Sequence, residues 1–174
     1  MKRVVVIGAA GSGKTSLAAA LARRLRAPHV ELDALYWESN WAPTARETFR
    51  RRVEAALADE TWVVDGNYSS ARDVVWRRAD TLVWLDYPLP VVLWRLARRS
   101  VTRIVRNDEL WNGNRETLRH LLRGKDSLFV WAIQSHRRYR REHPALFTRP
   151  EHRHLRVLRF QSPSAATRWL AGLE

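Results

Sequence analysis

Short hydrophobic runs recur along the chain, each closing at a glycine, a carboxylate or a turn, and between them apolar residues return every three or four positions. The first, Val4-Val5-Val6-Ile7, predicts a strand buried on both faces, and Leu17, Leu21 and Leu25 behind it predict a helix. Ala27-Pro28 ends that helix, and His29-Val30-Glu31-Leu32-Asp33 reads as a second strand finishing on an acid. Phe49, Val53 and Leu57 predict an amphipathic helix begun by the capping box Thr44-x-x-Glu47, with Arg46, Arg50, Arg51 and Arg52 outward. Thr61 to Asp65 and Thr81 to Asp86 read as a third and a fourth strand. Pro88 and Pro90 sit where the next helix tolerates them, in its first turn. Trp94, Ala97, Val101 and Ile104 predict that helix's buried stripe, and Arg95, Arg99, Arg103 and Arg106 its opposite one. Trp111 to Asn114 reads as a turn, and Ser127 to Glu142 as a helix with Trp131 and Ile133 inward. Leu155 to Phe160 alternates as a fifth strand, and a closing helix starts near Ser164. Strands alternating with helices make a doubly wound α/β domain.

The break after the first strand carries chemistry. Gly8-Ala9-Ala10-Gly11-Ser12-Gly13-Lys14-Thr15 is a full P-loop, the Walker A pattern G-x-x-x-x-G-K-[ST]. Phosphates need donors on every side, and a strand turning abruptly into a helix aims backbone N–H groups inward. The glycines permit the turn and the close approach, the Lys14 ammonium bridges the outer phosphates, and the Thr15 hydroxyl can ligate Mg²⁺. Gly8, Gly11, Ser12, Gly13, Lys14, Thr15 and Ser16 are the candidate nucleotide-binding residues.

Composition narrows the class. The 174 residues, 45% hydrophobic with nine Trp, suit one domain with a substantial core. Lys2-Arg3 and the aliphatics behind it resemble a secretory n-region, but the apolar run stops at Gly8, so neither a leader nor a membrane span is expected. The chain has no Cys, which excludes disulfides and thiolate metal sites and agrees with a cytoplasmic setting. The net charge of +13 is carried almost wholly by Arg, since the lysines are Lys2, Lys14 and Lys125. A basic balance raises nucleic acid as a partner, yet Arg is also what an enzyme sets around phosphates, because its planar fork grips two oxygens at once.

Further candidates lie at the strand ends. An acid at the carboxyl edge of a parallel sheet faces the same crevice as the P-loop, so Asp33 is either an acceptor-side catalytic group or a turn residue. Asp65 is the expected second anchor of the Mg²⁺ shell, beside Thr15. Asn67 and Tyr68 either touch an acceptor or make the turn, and Trp37 and Trp41 either stack on a ring or close the core. Four like charges on one helix face repel, so the Arg95-to-Arg106 stripe either meets an anion or is simply solvated.

His29-Val-Glu-Leu-Asp33-Ala-Leu-Tyr-Trp37, Trp62-Val-Val-Asp65-Gly-Asn-Tyr-Ser69 and Ala79-Asp80-Thr-Leu-Val-Trp-Leu85 together resemble the adenylate-kinase-related proteins known as topology modulation (FlaR-like) proteins. The resemblance spans most of the chain and weakens after about Arg106. It implies the three-layer nucleoside-monophosphate-kinase type of P-loop fold, with a five-stranded parallel sheet in the order 2-3-1-4-5. It also implies one domain over residues 1–174, with an Arg-bearing lid at about 95–140. Adenylate kinases carry Asp-Gly-Phe-Pro-Arg after the third strand; here the segment is Asp65-Gly66-Asn67-Tyr68-Ser69, without the Arg that helps hold a monophosphate.

The expected activity is transfer of the γ-phosphoryl group of Mg-ATP to a small acceptor, a nucleotide or nucleoside among the choices. Lys14, Asp33, Asp65, Arg99, Arg103 and Arg137 are the candidate catalytic residues, and Thr15 and Asp65 the candidate metal residues. The alternative is a nucleotide-regulated nucleic-acid-binding protein without small-molecule kinase activity.

Overall fold

The computed structural model describes residues 1–117 and 127–173. Its frame is a five-stranded parallel sheet of β1 (Arg3–Gly8), β2 (His29–Glu31), β3 (Trp62–Asp65), β4 (Thr81–Leu85) and β5 (Arg156–Phe160). The strands lie in the order β2-β3-β1-β4-β5, as the resemblance implies. β1 is central, with Val5 opposite Val64 of β3 on one side and Leu82 of β4 on the other. That position explains its unbroken aliphatic run, since Val4, Val5, Val6 and Ile7 are each at most 1% exposed.

Helices cover both faces. The described ones are α1 (Lys14–Leu25), α2 (Leu32–Tyr36), α3 (Arg46–Ala56), α4 (Arg72–Arg78), α5 (Leu89–Arg106), α6 (Leu128–Phe147) and α7 (Pro163–Ala171). Leu21 of α1, Val92 of α5 and Ala166 of α7 pack with Val4, Val6 and Val83 on one face. Phe49 and Val53 of α3, Trp76 of α4 and Leu146 of α6 pack with Val5, Ile7 and Leu82 on the other.

Four local expectations are corrected. The second strand stops at Glu31, because Leu32 turns into the core at 2% exposure and opens α2; Asp33 therefore lies in a helix's first turn, not at a strand's end. The capping box does not form: Ala45 precedes α3, and the Thr44 hydroxyl donates instead to the Tyr36 carbonyl at 2.7 Å. The buried stripe of α5 is Val92, Leu96 and Ser100, whereas Trp94 is 70% and Val101 51% exposed. Leu96 packs with Ala10 of the P-loop and Ala132 of α6, so the contact with the loop, rather than side-chain size, selects the inward face. On α6, Trp131 is 44% exposed, and Ala132, Ser135, His136, Tyr139 and His143 point inward.

Of the lid expected at about 95–140, residues 118–126, with Lys125, lie outside the described residues. Among the described residues, no helix is long and apolar enough to cross a membrane.

Candidate active site

β1 ends at Gly8 and α1 begins at Lys14; between them the chain turns through Gly11 and Gly13, with φ of +85° and +87°. Only glycine occupies that region without strain. Space forbids a side chain as well. A Cβ on Gly11 would stand 2.5 Å from the Val92 carbonyl oxygen, and one on Gly13 2.6 Å from an Arg95 guanidinium nitrogen. The loop is thus a cradle at the amino end of a twelve-residue helix, seated against α5, the geometry that receives phosphate. Ser12 is buried with its Oγ unpartnered, Lys14 and Thr15 are half-exposed, and Ser16 is exposed on the first turn.

Beneath the cradle, the Thr15 hydroxyl donates to Asp65 Oδ2 at 2.7 Å. Asp65 is 2% exposed, and its Oδ1 is held at 2.8 Å from His29 Nε2. The Thr15 proton is committed to Asp65, so the hydroxyl oxygen keeps its lone pairs for a cation. Two hard oxygen donors side by side at a phosphate cradle fit Mg²⁺, which takes few protein ligands and completes its shell with phosphate and water. Asn67 ties the loop after β3 to the cradle: the Gly8 N–H donates to its Oδ1 at 3.2 Å, and its amide donates back to the Gly8 carbonyl.

Beyond Asn67, the Tyr68 hydroxyl donates to Asp33 Oδ1. Burial, and after it the Asp33 carboxylate, push the Tyr68 pKa well above the usual phenol value, so Tyr68 stays a donor. Tyr68 packs on Tyr36 and Phe49 with ring centroids 4.5 and 5.1 Å apart, which fixes the hydroxyl. Asn67 and Tyr68 therefore bond the P-loop and Asp33 respectively. Trp37 and Trp41 meet edge to face at 5.7 Å, and Trp41 meets Trp111 at 6.4 Å. Polar bonds reinforce that contact between the loops after α2 and α5: Trp41 N–H to Asn114 Oδ1 at 2.7 Å, Asn114 amide to the Glu38 carbonyl at 2.8 Å, and Trp111 Nε1 to Glu31 at 2.9 Å.

The arginines separate by position. Arg95 reaches Gly13 of the P-loop. Arg103 is bonded to Glu116 at 2.7 Å, and the Arg99 guanidinium is 3.7 Å from the same carboxylate, with its Nε buried and unpartnered. Burial and the Arg103 charge pull the Arg99 pKa below its ordinary value, opposed by Glu116 and Asp33. Burial pushes Glu116 up, but Arg99 and Arg103 outweigh it and leave that carboxyl below its usual range. A shallow basic cleft of about 460 Å³ runs over Arg95, Arg98, Arg99, Thr102, Arg103 and Asp108. Two members of the basic stripe of α5, Arg99 and Arg103, thus meet an internal anion. Arg137 is exposed on α6, next to His136, whose Nε2 lies 2.9 Å from the Tyr87 carbonyl.

Two residues at this site escaped the sequence. His29 joins Asp65 because β2 pairs with β3 in a register that sets His29 opposite Val63 and Glu31 opposite Asp65, all on the α1 side. Glu116 lies just past the turn at 111–114, and its pairing with Arg99 and Arg103, thirteen or more residues back, is a contact that local pattern does not show.

The model of the ATPase family associated with various cellular activities (AAA) matches residues 4–64. The uncharacterized protein YqaC of Bacillus subtilis (strain 168) is 29% identical over 104 residues, which is 59% of this chain and 58% of that protein. The match thus spans somewhat over half of that relative's length. A gluconokinase from Sinorhizobium meliloti 1021 superposes with a TM-score of 0.55 at 21% identity, over 99% of this chain and 91% of that one. A shikimate kinase from Bacteroides thetaiotaomicron gives 0.57 at 18% identity, over 98% and 94%. A deoxyadenosine kinase from M. mycoides with bound dATP gives 0.53 at 10% identity, over 99% of each chain. At these identities the likeness is one of fold, that of the P-loop kinases.

Proposed function

We propose that this chain is an ATP-dependent phosphotransferase that moves the γ-phosphoryl group of Mg-ATP to a hydroxyl of a small acceptor. The observation that carries the reading is the Thr15–Asp65 contact under the P-loop together with an Asp33 oriented by Tyr68, which stands on the loop that follows Asp65. Placement among the adenylate-kinase-related topology modulation proteins belongs to the same reading, as does a cytoplasmic location, where ATP is available.

The chain's own groups divide the work. Loop amides and Lys14 hold the β- and γ-phosphates, and Arg95 and Arg99 spread positive charge over the transferring group. Thr15 and Asp65 would hold Mg²⁺, which when bound neutralises phosphate charge; His29 keeps Asp65 turned toward Thr15. Asp33, fixed by Tyr68, accepts the proton of the acceptor hydroxyl as its oxygen attacks the γ-phosphorus. The new P–O bond forms as the bond to the β-phosphate oxygen breaks, and ADP leaves. Glu116, bonded to Arg103, holds the Arg99 guanidinium in place, and Arg103 does not touch phosphate.

The test is a pair of variants. Asp33→Asn and Tyr68→Phe should bind ATP as the parent does and lose transfer, Asp33→Asn by about a hundredfold or more. Equal loss of ATP affinity in Asp33→Asn would contradict the role given to it.

A further inference from the structure

The loop after α2 and the loop after α5 are each closed on themselves: Trp37 bridges Pro43 in the first, and Glu109 bridges Arg115 in the second. Each carries residues in the left-handed region, Asn40 and Trp41 with φ of +60° and +56°, and Asn112 with φ of +55°. Asparagine visits that region readily, whereas a bulky residue such as Trp41 is strained there. Such strain persists only where the surroundings hold it. The loop after α5 supplies that hold. The Trp41 N–H donates to Asn114 Oδ1 at 2.7 Å, and its Nε1–H to the Arg115 carbonyl at 3.3 Å. Beside these, the Ser39 hydroxyl donates to the Asn112 carbonyl at 3.2 Å, and the Asn112 amide to the Trp37 carbonyl.

Asn114 is the centre of the contact. It is 3% exposed; its Oδ1 takes the Trp41 N–H, and its amide donates to the Glu38 and Trp111 carbonyls, both at 2.8 Å. Glu116 stands two residues further on, with its Oε1 2.7 Å from Arg103 and 3.7 Å from Arg99. Arg99 and Arg103 lie one turn apart on α5, where like charges repel, and the carboxylate they share keeps the Arg99 guanidinium from swinging away. The same helix bears on the P-loop through Leu96 with Ala10 and Arg95 with Gly13. Arg99 is also near enough to Asp33 for that carboxylate to favour its charge.

We propose that Asn114 is a positioning residue of the transfer reaction: by fixing the loop after α5 on the Trp41 loop it sets Glu116, and through Glu116 the Arg99 guanidinium. Helix α2, which carries Asp33, runs directly into the Trp41 loop, so the group that takes the acceptor's proton and the arginine at the transferring phosphoryl group are held through one contact. The part in transfer rests on the phosphotransferase reading; the coupling of the two loops to Arg99 does not.

Two readouts test it. The first is turnover of γ-labelled Mg-ATP, with a mixed pool of nucleosides, nucleoside monophosphates, hydroxy acids and polyols as acceptors, in a double-mutant cycle of Asn114→Ala with Arg99→Met. Asn114→Ala alone should lower kcat about tenfold, since a charge slightly misplaced at the reacting centre is costly, and should change the KM for ATP by less than about threefold. In the Arg99→Met background the same substitution should lower kcat by less than about twofold. No loss in the parent background, or an equal loss in both, overturns the proposal.

The second readout needs no activity. The Arg99 Nε–H is buried and has no hydrogen-bond partner, and its signal in ¹H–¹⁵N spectra is identified by its absence from Arg99→Met. That signal should be protected from exchange with water in the parent, and should shift and lose protection in Asn114→Ala. A signal unmoved by Asn114→Ala, or unprotected in the parent, overturns the coupling. Trp41→Gly suits the φ of +56° while losing the ring and Nε1 contacts, and carries both tests, with smaller effects, should Asn114→Ala fail to fold. If the parent transfers label to no member of the pool, the phosphotransferase reading falls, and the Arg99 signal still decides the coupling.

Discussion

Asp65→Asn separates the two duties of the buried carboxylate. Asp65 is 2% exposed and accepts two hydrogen bonds, from Thr15 at 2.7 Å and from His29 at 2.8 Å. Asparagine keeps the volume and one carbonyl oxygen but turns the other position into a donor. The Thr15 hydroxyl can rotate to accept, or the His29 tautomer can switch, so one bond is remade and its partner loses only charge assistance. The expected loss of stability is then about 1–2 kcal/mol, a net hydrogen bond rather than a stranded buried charge. For a domain of this size that lowers the melting temperature by roughly 2–8 °C. Catalysis should suffer far more. The Mg²⁺ shell loses its one anionic protein group, and a hundred- to thousandfold fall in turnover, about 3–4 kcal/mol of transition-state stabilisation, is expected. The assay is steady-state transfer measured against Mg²⁺ concentration, beside a thermal melt of the same preparation. A rise in the Mg²⁺ needed for half activity, together with a small melting shift, fits the account. Unchanged turnover with unchanged Mg²⁺ dependence would refute the reasoning, and a collapse of the fold would show Asp65 to be structural first.

Three further outcomes follow from packing and charge. Trp94→Ser should change stability by at most about 0.5 kcal/mol in urea unfolding, whereas Leu96→Ala should lose roughly 2–5 kcal/mol, because Trp94 is 70% exposed and Leu96 is fully buried. Gly11→Ala and Gly13→Ala should both destabilise the fold, since both glycines sit at positive φ; Gly11→Ala should cost more, because its Cβ would also meet the Val92 backbone oxygen, whereas at Gly13 the Cβ meets the flexible end of Arg95, and both should weaken ATP binding. His143 has its pKa lowered by burial to about 4. For a base lowered in the folded state, the unfolded chain binds the proton first, so stability is full above the unfolded value near 6.5 and falls as pH drops toward 4. That loss, on the order of 3 kcal/mol, should be absent from His143→Phe when unfolding midpoints are compared between pH 7 and pH 4.

What the sequence makes legible is what rests on local pattern. The P-loop, the aliphatic β1 and the Phe49-Val53-Leu57 face follow from residue type and spacing, and the strand and helix residues are buried as that pattern predicts. The failures share a cause: the deciding contact is distant in sequence. Trp94 reads as core by size, yet α5 turns Leu96 and Ser100 inward because Leu96 meets Ala10 of the P-loop. Thr44 and Glu47 have capping-box spacing, yet Thr44 is drawn to the Tyr36 carbonyl. His29 reads as a strand residue until the β2–β3 register sets it beside Asp65. Arg99 and Arg103 read as part of an uncompensated stripe until the loop beyond the helix returns Glu116 to them.

The central claim is that the cleft transfers a phosphoryl group rather than merely holding a nucleotide. The direct measurement incubates the protein with Mg²⁺ and γ-labelled ATP against pools of nucleoside monophosphates, nucleosides, hydroxy acids, neutral polyols and nucleic-acid ends, with Lys14→Ala as the control. The account predicts label in a small-molecule pool, absent from the Lys14→Ala reaction. ATP binding without transfer to any small-molecule pool, or transfer that survives Lys14→Ala, would contradict it.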